Sequence, residues 1–308
     1  MAIEPLPRDV AWPSLPFAAW RDTCETLHLW TQVVGKIRLA QAPPINHWWQ
    51  VTLYVTADGL TTSPIPYGET TFQIDFDFQR HLLRIETSAG RRGELPLSPR
   101  PVADFYRQTM DCLRDLGIAV RIRTTPSEIE NPIPFEQDRQ HAAYDPDSAQ
   151  RFWRVLVQAD RVFTEFRSRF LGKVSPVHFF WGACDLAVTR FSGLPAPPHP
   201  PIPGVPDFIT REGYSHEVSS AGFWPGSEAA PEAIFYSYAY PEPGGFSDAP
   251  IRPREARYLK ELGEFVLPYE AVRTAASPDA ALLDFLQSTY EAAAERAAWN
   301  RGALERSA

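Results

Sequence analysis

The feature that most constrains this chain is a pattern that recurs. A helical stretch ends in Gly35-Lys36, and a short link leads to His47-Trp48-Trp49 at the head of a strand. Further on, a second helical stretch ends in Gly172-Lys173, and a shorter link leads to His178-Phe179-Phe180, again at the head of a strand. Each copy closes with Ser-Pro and a helix: Ser98-Pro99 before Asp104-Phe105, and Ser277-Pro278 before Asp284-Phe285. A duplicated unit of this kind predicts an α+β protein made of two divergent helix–antiparallel strands–helix repeats packed about a pseudo-twofold axis. The first repeat, with an N-terminal arm lying along the surface, takes residues 1–125. A crossover linker takes 126–146, and the second repeat takes 147–308 with an irregular insertion at 193–231, the whole forming one fused unit.

Periodicity places the elements. Trp20, Leu27, Trp30, Val33 and Val34 recur at helical spacing from Phe17, with Gly35 suited to a C-cap. Trp49, Val51, Leu53 and Val55 alternate with polar residues, which predicts a strand over 49–57 before the Asp58-Gly59 turn. Phe72, Ile74, Phe76 and Phe78 make a second alternating run, and a turn near Gln79-Arg80 leads to a strand from Leu82 to Thr87. Ser98-Pro99 reads as an N-cap with proline in the first turn of a helix ending at Gly117, and Ile118 to Arg123 as a further strand. The second copy reads as a helix over 148–171 and a strand from His178 to Phe191. Beyond the insertion come strands from Ile234 to Tyr240 and near Phe265 to Leu267, then a terminal helix over 278–300.

Composition narrows the classes. With 44% apolar residues and nine Trp, 308 residues can bury a substantial core. Proline, 31 residues, concentrates in loops and stiffens them, because its ring fixes φ. No apolar run approaches the roughly 18 residues of a membrane span, and no signal-peptide pattern follows Met1. Cys24, Cys112 and Cys184 are widely spaced and lack a CxxC pattern, so they read as reduced thiols of a cytoplasmic protein. A formal charge of −8 excludes a general nucleic-acid binder. Phosphate-loop, dinucleotide, zincin and kinase motifs are absent.

Three stretches carry a resemblance: Asn46-His47-Trp48-Trp49; His178-Phe179-Phe180-Trp181-Gly182 with Asp185; and Ser215-His216-Glu217 running into Phe223-Trp224-Pro225-Gly226. Together they are similar to an uncharacterised bacterial family catalogued as a domain of unknown function, over nearly the full chain. That family has no established activity, so the resemblance implies no catalytic residues.

Functional candidates therefore come from residue chemistry. His47, His178 and His216 with Asp185 could converge between the repeats as ligands to Zn, Fe or Mn, imidazoles and a carboxylate being suitable donors. A metal-free reading makes His216 or Glu217 a general base. Lys36 and Lys173 would then hold an anionic group, with Trp48, Trp181, Trp224 and Tyr238 as walls. Both readings expect a small-molecule enzyme with a His/Glu site between the repeats. The alternative is a non-catalytic metabolite-binding or protein-interaction scaffold, in which the same aromatics pack a core or an interface.

Overall fold

The computed structural model describes residues 7–202 and 205–306. In chain order, α1 (Arg8–Ala11) and α2 (Arg21–Gln41) precede β1 (Tyr54–Val55), β2 (Gly59–Thr61), β3 (Ile65–Tyr67), β4 (Thr70–Asp77), β5 (Leu82–Thr87) and β6 (Arg92–Pro96). After these come α3 (Val102–Asp115) and α4 (Pro146–Ser168), then β7 (His178–Phe180), β8 (Asp185–Pro195), α5 (Asp207–Gly213), β9 (His216–Trp224) and β10 (Ile234–Tyr240). Last are β11 (Arg257–Leu259), β12 (Glu264–Pro268), α6 (Tyr269–Thr274), α7 (Pro278–Arg296) and α8 (Arg301–Leu304).

The strands form two six-stranded antiparallel sheets, so the chain is α+β. The first runs β1-β2-β4-β5-β6 with β3 also on β4, and the second runs β11-β12-β10-β9-β8-β7. The sheets touch where Leu53 and Phe179 exchange backbone hydrogen bonds of 2.9 and 2.7 Å.

The second sheet explains where a site can form. Period-two alternation sends Leu186, Val188, Phe223, Phe235, Phe265 and Leu267 to one face, where they are buried against α4 and α7. Burying each such side chain stabilises the fold by roughly 1.5–3 kcal/mol. The opposite face carries Asp185, Thr189, Ser220, Tyr236 and Tyr238, with Glu264 beyond them on β12. Of these, Asp185, Thr189, Ser220, Tyr236 and Tyr238 line the floor of a cavity.

Several local expectations change. The helix expected to stop at Gly35 continues to Gln41. Gly35 is instead the point where the Trp181 indole lies on the helix: a Cβ there would meet the ring at 2.2 Å. Gly35-Lys36 thus lies inside a helix, whereas Gly172-Lys173 follows α4, so the two pairs are not in matching settings. Ser98-Pro99 does not cap α3, whose N-cap is Pro101, while Ser277 does cap α7 by accepting from the Ala280 N–H.

Residues 47–49 turn instead of extending, and only Tyr54–Val55 of the expected 49–57 strand pairs as one. Residues 118–123 are irregular. The 178–191 strand is a hairpin, β7 and β8, folded at 181–184. The 193–231 segment, expected to be irregular, contains α5 and the interior strand β9, although Pro203 and Gly204 lie outside the described residues. The first six residues of the arm also lie outside them. Beyond that the arm is tied into the core, with Trp12 and Leu15 buried and the Pro13 carbonyl accepting from Tyr269 Oη at 2.7 Å.

Candidate functional site

The roof of the cavity is the turn at 46–48. His47 (φ 58°) and Trp48 (φ 62°) are both left-handed, a conformation that costs non-glycine residues about 1–2 kcal/mol each. Side-chain contacts hold it. His47 Nδ1 donates to the Gly213 carbonyl at 3.1 Å, which leaves Nε2 to accept from Lys173 Nζ at 2.7 Å. Lys173 in turn lies 5.3 Å from the Trp49 ring and 5.0 Å from that of Phe191. Burial, aided by the charges of Lys173 and His216, holds His47 below its ordinary pKa. Trp48 packs on Phe208 of α5 at 5.6 Å.

Between this roof and the second sheet lies a cavity of about 260 Å³, whose lining includes His47, Trp48, His178, Asp185, Tyr236 and Tyr238. Asp185 is buried and accepts a short hydrogen bond from Tyr236 Oη. Burial, with the nearby Glu128 carboxylate, pushes its pKa up to about 7, against the lowering effect of the Tyr236 bond. Glu264 is likewise pushed up to about 7, first by burial and then by Asp185. Tyr214 and Tyr238 share a hydroxyl contact of 3.0 Å, and Thr189 and Ser220 one of 2.8 Å.

His178 is 1% exposed, and burial with the fields of Arg38 and Arg167 lowers its pKa to about 3. It therefore stays a neutral imidazole. Its Nδ1 and the Trp48 indole N–H are buried without a hydrogen-bond partner among the described residues.

A second cavity of about 690 Å³ adjoins the first, and Glu128 and Ala183 line both. Glu128 (φ 57°) lies against Gly182, where an added Cβ would meet its Oε1 at 2.0 Å. Its segment is pinned by Lys36 Nζ donating to Ser127 Oγ at 2.9 Å and by Gln32, which bonds the Ser127 backbone at both N–H (2.7 Å) and C=O (2.9 Å). Burial lowers Lys36 to about 8 and raises Glu128. His28 directs Nε2 at the Trp181 and Gly182 carbonyls, both 2.9 Å away, so that nitrogen carries the proton. The larger cavity also holds Cys24, Cys184, His141 and Trp224.

The candidates named from sequence are distributed as follows. His47, Trp48, His178, Asp185 and Tyr238 line the smaller cavity, with Lys173 behind His47. His216 stands 5.8 Å from the His47 ring and contacts Ser215 Oγ at 3.0 Å. Glu217 is on the opposite face of β9, lining a separate hollow with Trp299. Adjacent strand residues point to opposite faces, so His216 and Glu217 do not share a pocket. Lys36 and Trp181 pack together 5.5 Å apart, and the Trp181 indole donates to the Val51 carbonyl at 2.7 Å.

The proposed metal ligands do not form one set. His47 has both nitrogens engaged, and Trp49 packs against both it and His178, its ring 5.5 Å from one and 6.2 Å from the other. Among the described residues no group of three or more His, Cys, Asp or Glu side chains is placed to hold a metal ion. Sequence reading did not single out Glu128, Glu264, Tyr214 or His28. Nor, among the described residues, is any helix long and apolar enough to cross a membrane.

These observations define the class: an α+β protein with two antiparallel sheets and a cavity lined by Asp185, Glu128 and several tyrosines. The chain belongs to DUF5996, a family of unknown function whose model matches residues 12–306. No curated protein and no solved structure matches it.

Proposed function

We propose that the protein is an enzyme of small-molecule acid–base chemistry, acting in the cavity over the second sheet with Asp185 as the proton-transfer group. The observation that carries this reading is a buried carboxyl near pKa 7, bonded by Tyr236 and bordering a cavity. Such a group populates both protonation states at neutral pH, which suits general acid–base transfer. Glu128, the second carboxyl of the same wall, favours the protonated form of Asp185 by like-charge repulsion. His47 with Lys173 and His216 supplies a polar roof, and the reading routes no step through a metal.

The test is incubation of wild type and Asp185→Asn with pooled metabolites in D₂O, followed by mass spectrometry and NMR. Conversion or deuterium incorporation should fall about 10²–10⁴-fold in the variant while ligand-induced stabilisation persists. Turnover indifferent to Asp185→Asn would overturn the assignment. Ligand binding without turnover in wild type would instead favour a metabolite-binding protein.

Two finer readings belong with this one. The halves are divergent copies about a pseudo-twofold axis, which the reciprocal Leu53–Phe179 bonding supports. If so, superposing residues 21–96 on 146–240 requires close to a half-turn through that pair; a very different rotation sinks the idea. The free thiols support a reducing, cytoplasmic setting, which cell fractionation tests.

A further inference from the structure

We propose that the larger cavity is a second binding site, for a primary amine with an apolar body, whose ammonium donates to the imidazole of His141. This site is separate from the one assigned under the proposed function and does not rest on it.

The imidazole carries the inference. His141 Nδ1 donates to Asp138 Oδ2 at 2.7 Å, and Asp138 Oδ1 accepts the backbone N–H groups of Gln140 and His141 at 3.0 and 3.1 Å. The Asp138 carboxylate is 1% exposed, so a buried group met by three donors fixes the ring and its tautomer. The neutral ring therefore presents Nε2 as an acceptor. That nitrogen has no hydrogen-bond partner among the described residues, and the side chain is 31% exposed where it lines the cavity. A carboxylate that holds one imidazole nitrogen sets the other for an incoming group, as it does in ligand-binding histidines generally.

The remaining walls fix the charge and shape of that group. The charged lining residues are Glu25, Glu128, Glu130, Asp138 and Glu228, with no Lys or Arg among them. Glu228 reaches Arg21 at 3.6 Å, whereas Glu25, Glu128 and Glu130 make no hydrogen bond or ion pair among the described residues. Burial raises Glu25 against the fields of His141 and Arg21, and raises Glu128 against that of Lys36, so both lack a sufficient counter-charge. An ammonium supplies one and brings three donors to a wall rich in acceptors. An anion would be repelled. Phe17, Leu29, Ile129, Ile133 and Trp224 give the cavity an apolar side, which calls for an aryl or alkyl body on the amine. The volume of about 690 Å³ falls within the range of small-molecule sites.

The test is isothermal titration calorimetry of the full chain at pH 8 with 2-phenylethylamine and hexylamine. The controls are 2-phenylethanol and phenylacetate, which keep the aryl body and change the head group. Saturable binding of at least one amine is expected, about tenfold or more tighter than either control. His141→Phe keeps a ring but removes the acceptor, and should weaken amine binding about tenfold. Glu25→Gln should weaken it similarly, and it decides the matter if circular dichroism shows that His141→Phe does not fold. Absence of saturable amine binding to wild type overturns the site. So does equal affinity for the amine and the alcohol, or amine affinity unchanged in a folded variant.

Discussion

At the scale of single residues, Asp185 sets the expected pH behaviour. In the unfolded chain an aspartate titrates near 3.9, whereas here burial holds it near 7. Between those values the unfolded state ionises and the folded state keeps its proton, so this group subtracts stability as pH rises from about 4 to 7. Above 7 the deficit is constant. The groups facing it are Tyr236, Glu128 and Glu264, and both carboxyls are shifted in the same direction. Asp185→Asn, which still accepts from Tyr236, should therefore raise the melting temperature by on the order of 5 °C at pH 8. At pH 4 it should change little, and scanning calorimetry at both values decides. A second expectation concerns His47. Lys173→Met removes a cation that lowers the His47 pKa, so its NMR titration midpoint should move up; a downward move would contradict the contact.

Two helix glycines carry predictions at the scale of elements. Gly35→Ala improves helix propensity by up to about 1 kcal/mol but drives a methyl into the Trp181 indole, which lies 2.2 Å from the new Cβ. Overpacking of that kind costs about 1–3 kcal/mol, so urea denaturation should show net loss; a gain would mean the indole moves freely. Gly117 closes α3 at φ 81°, its N–H reaching the Arg114 carbonyl at 2.9 Å while Ile118 N–H reaches Leu113 at 2.8 Å. Gly117→Ala should cost about 1 kcal/mol through its left-handed backbone alone.

Strands also show what was legible. β4, β5 and β10 match their alternation because each has apolar side chains on the packed face. Interior strand β9 escaped notice because Ser219, Ser220 and Gly222 are small and polar. The smallness is required: a Cβ on Gly222 would meet Tyr236 Oη at 2.3 Å and the Leu186 carbonyl at 2.5 Å. Residues 49–53 alternate without forming a strand, because the left-handed turn precedes them and the buried Arg38 guanidinium takes the Thr52 carbonyl. The site was half legible for the same reason. His47, His178, Asp185 and Tyr238 stand in conspicuous aromatic motifs, while Glu128 sits in a crossover with no periodicity and Glu264 on a short strand near the sheet edge.

For the whole molecule, the halves interlock. Leu53 pairs with Phe179, Trp181 donates to Val51, and α2 packs on both α3 and α4. Heating should therefore give one cooperative transition with equal calorimetric and van't Hoff enthalpies, and two resolved steps would show that the halves are independent. The partition between the two cavities has a further consequence. Because Glu128 walls both, a molecule that displaced its carboxylate from one side should alter the affinity of the other side. Thermodynamic reciprocity makes the effect equal in both directions. The two compartments are then not separate addresses but the two pans of one balance, with a single carboxylate as the beam.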